Sequence, residues 1–212
     1  MQYIIMCGGT YHAWEKPRQL AEINGEPVIA RTIRLLRETG VKDIAISSDN
    51  PVFEQFGVPI LKHDNNFTVS KQLNVDGCWC NAFYPMDEPA CYLFGDVVFS
   101  PEAIKTIVTT QTDSIQFFAS SPPYAPEYIK QHAEPFAFKV TDQKRFRAAI
   151  DFAVANANTG IFCRPPIAWE LWQVIRGKDV CEIDFDSYVI INDYTCDIDS
   201  AGDVQKFEGL IK

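Results

Sequence analysis

The stretch MCGGTYHAWEKPRQL, close to the amino terminus, combines residue types that bind anions. Glycine adopts positive φ and lets backbone N–H groups approach an anion closely, so Gly8, Gly9 and Thr10 are candidates for a nest of donors around a triphosphate. A tight turn without a ligand is the alternative. Lys16 and Arg18 flank a proline that restricts the backbone, and two cations beside a phosphate cradle would offset its charge. Considered alone, the two cations also fit a solvated basic loop.

The composition narrows the class of ligand. The chain has 212 residues and a formal net charge of -9, and its sequence contains no long basic stripe. Such a surface repels phosphate backbones and anionic lipid, so neither a nucleic acid nor a membrane is expected as a partner. The phosphate-binding motifs G-x-x-x-x-G-K-[ST] and G-x-G-x-x-G opening a helix are both absent. An acidic protein that accepts phosphorylated substrates needs a local cationic pocket or a divalent metal.

Regular secondary structure must position the anion-binding stretch. The sequence shows short apolar runs that alternate with segments of helical period. The pattern predicts a strand at Tyr3–Cys7 and a helix that begins near Pro27 and ends before Gly40. The run VKDIAISSD predicts a second strand, and FGVPIL predicts a short third one. This βαβ succession predicts a parallel sheet, and ligands in such sheets bind at the carboxyl ends of the strands.

The rest of the chain continues the alternation. The run ACYLFGDVVFS is apolar enough for a central strand buried on both faces, and Ser100 is placed to cap a helix in PEAIKTIVTT. Residues 121–131 look irregular and are expected to cover a site. Further strands are predicted in DSIQFFAS, PFAFKV, TGIFCR and YVII, and further helices in SKQLNVDGCWCNAFY, QKRFRAAIDFAVA, PIAWELWQVIRG and after DIDSAGD. At this length a single domain over residues 1–212 is expected.

The seven cysteines form neither a C-x-x-C pair nor a zinc-type set. Reduced thiols in a cytoplasmic protein are therefore expected. The amino terminus runs directly into a strand without a basic leader, and no apolar run approaches about 18 residues, so neither export nor a membrane span is expected.

The series IIMCGGT, KPRQLAEINGEPVIARTIRLL and GVKDIAI resembles the amino-terminal signature of the sugar-phosphate nucleotidyltransferase superfamily. Its central part is most similar to the K-P-K-P-M-x-E-I-G-G-K-P form of glucose-1-phosphate cytidylyltransferases. The resemblance implies a single-domain Rossmann-like α/β fold, a three-layer α/β/α sandwich with a mostly parallel mixed sheet. It puts Arg18 in the place of the usual catalytic lysine and Lys16 in that of the lysine before the proline.

Two later segments resemble the same superfamily in the expected order. The strand YLFGDVVFS ends like the family's G-D strand, which implies that Asp96 binds Mg²⁺. The segment DIDSAGDVQKF resembles a D-T-P-E-D-L ending, which implies Asp199 as the second metal ligand. Both carboxylates could instead cap helices, although Ser100 and Ser200 compete for those positions, and Asp197 competes with Asp199 as the ligand.

Substrate-binding residues follow from the resemblance as well. The segment NANTGIF is similar to the N-x-G-I-[YF] segment that holds the acceptor, which implies Asn158 and Gly160 in that role, although Asn158 could also complete a turn. Ser70 and Lys71 precede a predicted helix near the place where such folds often recognise the base. The residues expected to contact the nucleotide are Cys7, Gly8, Gly9, Thr10, Ser70 and Lys71.

The implied reaction is Mg²⁺-dependent transfer of a nucleotidyl group from an NTP to a phosphorylated small-molecule acceptor, with release of pyrophosphate. CTP is favoured, UTP is next, and a homodimer is one option for the assembly. Two features depart from the family pattern, because no arginine follows Thr10 and because Arg18 replaces a lysine. One alternative is a nucleotide-sugar glycosyltransferase of related fold, which would normally carry D-x-D after the central strand. Another is a noncatalytic nucleotide-binding relative.

Overall fold

The structure, a computed structural model, describes residues 1–8, 16–63, 78–121 and 129–211. In these residues the strands are β1 (Gln2–Met6), β2 (Glu22–Ile23), β3 (Glu26–Pro27), β4 (Ile44–Ser47), β5 (Ile60–Leu61), β6 (Ala90–Phe94), β7 (Val97–Val98), β8 (Ile115–Ala119), β9 (Pro135–Val140), β10 (Val189–Ile190) and β11 (Cys196–Asp197). The helices are α1 (Val28–Glu38), α2 (Pro101–Thr109), α3 (Gln143–Asn156), α4 (Ala168–Arg176) and α5 (Ala201–Leu210).

One seven-stranded sheet organises the molecule, with the strand order β10-β8-β9-β6-β1-β4-β5. Strand β1 pairs in parallel with β4 on one side and with β6 on the other, and β4 pairs in parallel with β5. Strand β9 runs antiparallel to both β6 and β8, while β10 is parallel to β8. The predicted mixed, mostly parallel sheet is therefore confirmed, and β1, β4 and β6 all end at the same side of it.

The core lies on the central strands and under the helices. All five residues of β6 and all four of β4 are buried, as their continuous apolar runs predict. Helix α1 contacts α2, and α3 contacts α4, so the helices pack in pairs. The Ser100 hydroxyl accepts a hydrogen bond of 2.9 Å from the Ala103 N–H at the start of α2, which confirms the predicted cap. No helix in the described ranges has the length and apolar character needed to cross a bilayer.

The end of the central strand at a glycine and an aspartate is confirmed, and the residues VVFS that follow in this run do not continue that strand. Strand β6 ends at Phe94, the chain turns at Gly95 and Asp96, and β7 joins a different sheet. The strand predicted in TGIFCR is absent, because this described segment consists of turns and bends. The strand predicted in YVII is present as β10, which pairs with β8. A helix was predicted over residues 70–84. Its residues 70–77 lie outside the described part, and Trp79–Ala82 form a short 3-10 helix.

The expectation that every thiol is reduced is wrong for one pair of cysteines. Cys163 and Cys181 form a disulfide between the turn after α3 and the segment after α4. The other five cysteines, Cys7, Cys78, Cys80, Cys91 and Cys196, are free and buried. A cytoplasmic location, which was inferred from reduced thiols, stays a prediction.

A second sheet of two strands joins distant parts of the chain. Strand β7 pairs antiparallel with β11, with Val97 opposite Asp197. The Ile198 N–H donates a hydrogen bond of 3.0 Å to the carbonyl oxygen of Asp96. A separate core cluster supports this sheet and consists of Ala21, Ile23, Val28, Val98, Ile129, Cys196, Ile198 and Phe207, a set that we call the second core. The carboxyl-terminal segment is thereby packed against the turn that follows the central strand.

Gly95 allows the ends of β1 and β6 to approach each other closely. Its N–H donates a hydrogen bond of 3.0 Å to the carbonyl oxygen of Met6. A Cβ at Gly95 would collide with that oxygen and would lie 2.8 Å from the Sγ of Cys7. Packing therefore requires glycine here, and it brings Asp96 beside the end of β1.

We predict that Gly95→Ala lowers the free energy of unfolding by about 3 kcal/mol, because the backbone of Met6 cannot move away without disturbing β1. The matched control is Gly209→Ala on the exposed side of α5, where an added Cβ meets nothing within 4 Å. Alanine is the better helix former, so the control should change stability by less than about 1 kcal/mol, in the stabilising direction. Urea denaturation measures both changes, and equal effects of the two substitutions would contradict the prediction.

Candidate active site

The guanidinium of Arg18 bridges two carboxylates at the carboxyl end of the central strands. Its Nη2 lies 2.6 Å from Oδ2 of Asp96, and its Nη1 lies 2.6 Å from Oδ1 of Asp199. The Nη1 also donates a hydrogen bond of 3.1 Å to the carbonyl oxygen of Ile198. A planar guanidinium with forked donors suits two acceptors at once, which a lysine ammonium would hold less rigidly. The structure thus brings together three side chains that the sequence suggested separately.

Three different elements deliver these side chains. Arg18 starts a short 3-10 helix, Arg18–Leu20, and the hairpin of β2 and β3 follows it. In that hairpin Asn24 and Gly25 have φ of 51° and 80°, so the NG pair forms a tight turn. Asp96 lies in the turn between β6 and β7.

Asp199 directly precedes α5. The Ser200 hydroxyl accepts a hydrogen bond of 3.3 Å from the Asp203 N–H, so Ser200 is the N-cap of this helix. The side chain of Asp199 is therefore not needed as a cap. Asp197, two residues earlier on β11, points into the same cluster, as its contact with Lys130 shows.

Lys130, which the sequence did not single out, lies inside this cluster. Its Nζ is 2.5 Å from Oδ2 of Asp199, 2.9 Å from Oδ1 of Asp197 and 3.7 Å from Oε1 of Glu134. The exposed His132 places Nε2 at 2.6 Å from the same Oε1 of Glu134. Lys130 lies in the segment 121–131 that was expected to cover a site, and the string IKQHAE has three ionisable residues within five positions, a pattern usual in a solvated loop.

The electrostatics of the cluster follow from burial of several acids together. Burial and, next, the charge of Asp96 raise the pKa of Asp197 to about 6. Burial and the charge of Asp197 raise the pKa of Glu134 to about 8. Burial alone would lower the pKa of the Lys130 ammonium, but Asp197 and Asp199 outweigh it, so that pKa is raised. Lys130 is consequently a cation in a cluster in which Asp197 and Glu134 resist ionisation.

The remaining candidate residues are less closely associated with the cluster. Cys7 is buried at the end of β1, where its N–H donates to the carbonyl oxygen of Ser47 (2.9 Å), and burial raises the pKa of its thiol well above the ordinary value. Gly8 is half-buried beside it, and Lys16 is exposed. The predicted nucleotide-binding residues Gly9, Thr10, Ser70 and Lys71 lie outside the described residues.

The proposed acceptor residues lie in the turn after α3. Asn158 and Gly160 are both exposed, and Gly160 has φ of 85°. Helix α3 follows the antiparallel strand β9, so it runs back toward the end of the sheet where β1 and β6 finish. Among the described residues no hydrogen bond connects Asn158 or Gly160 with Arg18, Asp96 or Asp199.

The two carboxylates that flank Arg18 form a donor set that suits Mg²⁺. This ion is usually held by one or two carboxylates together with water and substrate phosphates, rather than by a cage of protein ligands. Within the described ranges no group of three or more His, Cys, Asp or Glu side chains could hold a metal by itself. Asp96 and Asp199 therefore fit an ion that arrives with a phosphorylated ligand.

Comparison with solved structures identifies the fold. A CTP:phosphocholine cytidylyltransferase from Streptococcus pneumoniae is 16% identical, with a TM-score of 0.57 over 100% of this chain and 99% of that one. An inositol-1-phosphate CTP transferase from T. maritima is 14% identical, with a TM-score of 0.55 over 97% and 94%. A protein from Bacillus anthracis assigned as a glucose-1-phosphate thymidylyltransferase is 16% identical, with a TM-score of 0.56 over 99% and 94%.

The chain therefore has the fold of the sugar-phosphate nucleotidyltransferases, over its whole length. No protein family and no curated protein matches it by sequence. The fold implied by the short motifs is thus confirmed by structural likeness.

The raised pKa of Glu134 predicts a pH dependence of stability. Between its ordinary value of 4.5 and about 8, the folded protein retains a proton that the unfolded chain releases, so the free energy of unfolding falls as the pH rises. Glu134→Gln removes this dependence. The free energy of unfolding of the variant minus that of the wild type should therefore increase from pH 5.5 to pH 8.5. Urea denaturation at both pH values tests this. Glu208→Gln, on the exposed side of α5, is the control, and parallel profiles for Glu134→Gln would contradict the assignment.

Proposed function

We propose that the protein is a nucleotidyltransferase that transfers a nucleoside monophosphate from an NTP to a phosphorylated small molecule and releases pyrophosphate. The observation that carries this proposal is the Arg18 bridge between Asp96 and Asp199. It lies at the carboxyl ends of parallel strands, where ligands bind in open α/β sheets. It also lies in a fold that three nucleotidyltransferases share.

In this reaction a phosphate oxygen of the acceptor attacks the α-phosphorus of the NTP in line, and the bond from that phosphorus to the bridging oxygen of pyrophosphate breaks. The chain supplies orientation and charge compensation rather than a nucleophile. Gly8, Gly9 and Thr10 would surround the triphosphate with backbone N–H groups. Arg18 and Lys16 would donate hydrogen bonds to its nonbridging oxygens.

Asp96 and Asp199 would hold Mg²⁺ in the proposed complex. The ion supplies charge neutralisation at the phosphate oxygens and alignment of the nucleotide. Arg18, which contacts these same carboxylates, would then bind the phosphates. The exchange keeps the local charge nearly balanced, because one cation replaces another as the anion enters.

We propose CTP as the nucleotide and a phosphate ester as the acceptor. The segment KPRQLAEINGEP and the names of two of the similar structures, which use CTP, support this choice over UTP. Phosphocholine, inositol 1-phosphate and glucose 1-phosphate, named for the three proteins, have only the phosphate ester in common. The turn that contains Asn158 and Gly160 is the proposed place of acceptor binding.

The two alternatives predict different products. A glycosyltransferase would transfer sugar without forming pyrophosphate, and the segment FGDVVFS offers one aspartate where that class normally has D-x-D. A noncatalytic relative would bind nucleotide without turnover. A screen of the four NTPs with a panel of phosphate esters, with pyrophosphate as the readout, separates the three outcomes. We expect pyrophosphate only with Mg²⁺, an acceptor and preferentially CTP.

We predict that Asp96→Asn lowers turnover by about 100-fold or more while the protein stays folded, because it removes a charge from the proposed metal site. The control is Asp151→Asn on the exposed side of α3, which should retain wild-type turnover. Circular dichroism and pyrophosphate release measure the two quantities. Wild-type turnover of Asp96→Asn would refute the assigned role.

A further inference from the structure

Lys130 differs from an ordinary surface lysine in its burial and its partners. Its side chain is 8% exposed, and its ammonium contacts the carboxylates of Asp197, Asp199 and Glu134. These acids come from β11, from the loop before α5 and from the segment before β9. An ammonium with acidic partners from three elements stabilises their approach, because without it the carboxylates would repel one another.

The backbone of this lysine is anchored as firmly as its side chain. The preceding residue, Ile129, is 4% exposed and belongs to the second core. Its carbonyl oxygen accepts a hydrogen bond of 2.9 Å from the Nζ of Lys206 on α5. The segment that contains Lys130 is therefore attached to α5, the helix whose Asp203 carboxylate accepts a hydrogen bond from the Asp199 N–H.

The two carboxylate oxygens of Asp199 contact two different cations. Its Oδ1 contacts Arg18, and its Oδ2 contacts Lys130. The Asp199 side chain is 44% exposed, so surrounding atoms restrict its rotation only in part. In the proposed reaction Arg18 leaves for the phosphates, whereas the buried Lys130 has no route to them without separating from three acids.

We propose that Lys130 is a positioning residue for Asp199. It holds Oδ2 of Asp199 while Arg18 moves, so that Oδ1 stays directed toward Asp96. This inference rests on the proposed function, because it concerns how the same site is kept in order when nucleotide and metal enter. The role differs from that of Arg18, since Lys130 does not touch the reacting atoms.

The test measures binding as well as turnover. We expect Lys130→Met to weaken the binding of Mn²⁺ to the protein with the α,β-methylene analogue of CTP by at least about tenfold, measured by electron paramagnetic resonance, because loss of a group that orients a metal ligand has an effect of this size. Turnover should fall by a similar factor. Lys130→Arg, which keeps the charge, should recover most of both. Lys105→Met on the exposed side of α2 is the control and should behave like the wild type.

A merely electrostatic or structural role gives other results. If Lys130 only competed with the metal for the acids, Lys130→Met would bind Mn²⁺ as tightly as the wild type or more tightly, and the proposal would be overturned. Should Lys130→Met fail to fold, the double variant Lys130→Met/Glu134→Gln also removes a buried acid that would lose its cation, and it is expected to show the same loss of Mn²⁺ binding. Wild-type binding by that variant would also overturn the proposal.

Failure of the proposed function has a separate signature. If the wild-type protein neither binds Mn²⁺ with the CTP analogue nor forms pyrophosphate with any NTP, both the function and the role of Lys130 are rejected. If the wild type is active and the lysine variants match it, only the role of Lys130 is rejected.

Discussion

The ion bridge from Arg18 to Asp96 and Asp199 is the interaction on which the arrangement of this site depends. Two carboxylates from distant parts of the chain would repel each other if nothing lay between them, and here a single guanidinium compensates both. With Lys130, the site sets two cations among four acids, Asp96, Asp197, Asp199 and Glu134, and burial raises the pKa of two of them, Asp197 and Glu134. The two cations thus keep these acids close together.

This concentration of charge is possible because apolar structure holds the backbone on each side of it. Gly95 lets the central strand end against β1, and the pairing of β7 with β11 places Asp197 opposite Val97. The second core contains residues from the hairpin that follows Arg18, from the segment that contains Lys130, from β7, from β11 and from α5. One small hydrophobic cluster therefore determines the relative positions of all the charged groups, since each of their elements contributes a residue to it.

Local signals in the sequence were enough for most of the fold. Apolar runs predicted β1, β4, β6 and β9, and Ser100 was correctly predicted as a cap, because a cap depends on neighbouring residues. The end of β6 at Gly95 and Asp96 was predicted, but the steric requirement for glycine lies in its contact with β1, which the local pattern does not contain. The disulfide between Cys163 and Cys181 was missed for the same kind of reason, as pairing is a tertiary property.

The candidate site shows the same difference between what local sequence predicts and what depends on tertiary packing. Arg18, Asp96 and Asp199 were suggested by motif and are brought together by the structure, while their roles in a reaction stay proposals. Lys130 and Glu134 have no motif, and their importance appears only when β9 and β11 are packed. A buried charge of this kind is difficult to read from one sequence, because the residues that compensate it are almost seventy positions away.

The bond between Cys163 and Cys181 encloses α4 in a covalent ring, because the two cysteines are 18 residues apart and the helix lies between them. A ring of this size removes roughly 3 kcal/mol of chain entropy from the unfolded ensemble in the loop-closure treatment. Helix α4 therefore cannot separate from the sheet as an independent segment. The turn that contains Asn158 and Gly160 ends close to Cys163, so the disulfide restrains that turn as well. The oxidation state of these two exposed cysteines therefore determines how freely α4 and the adjoining turn can move.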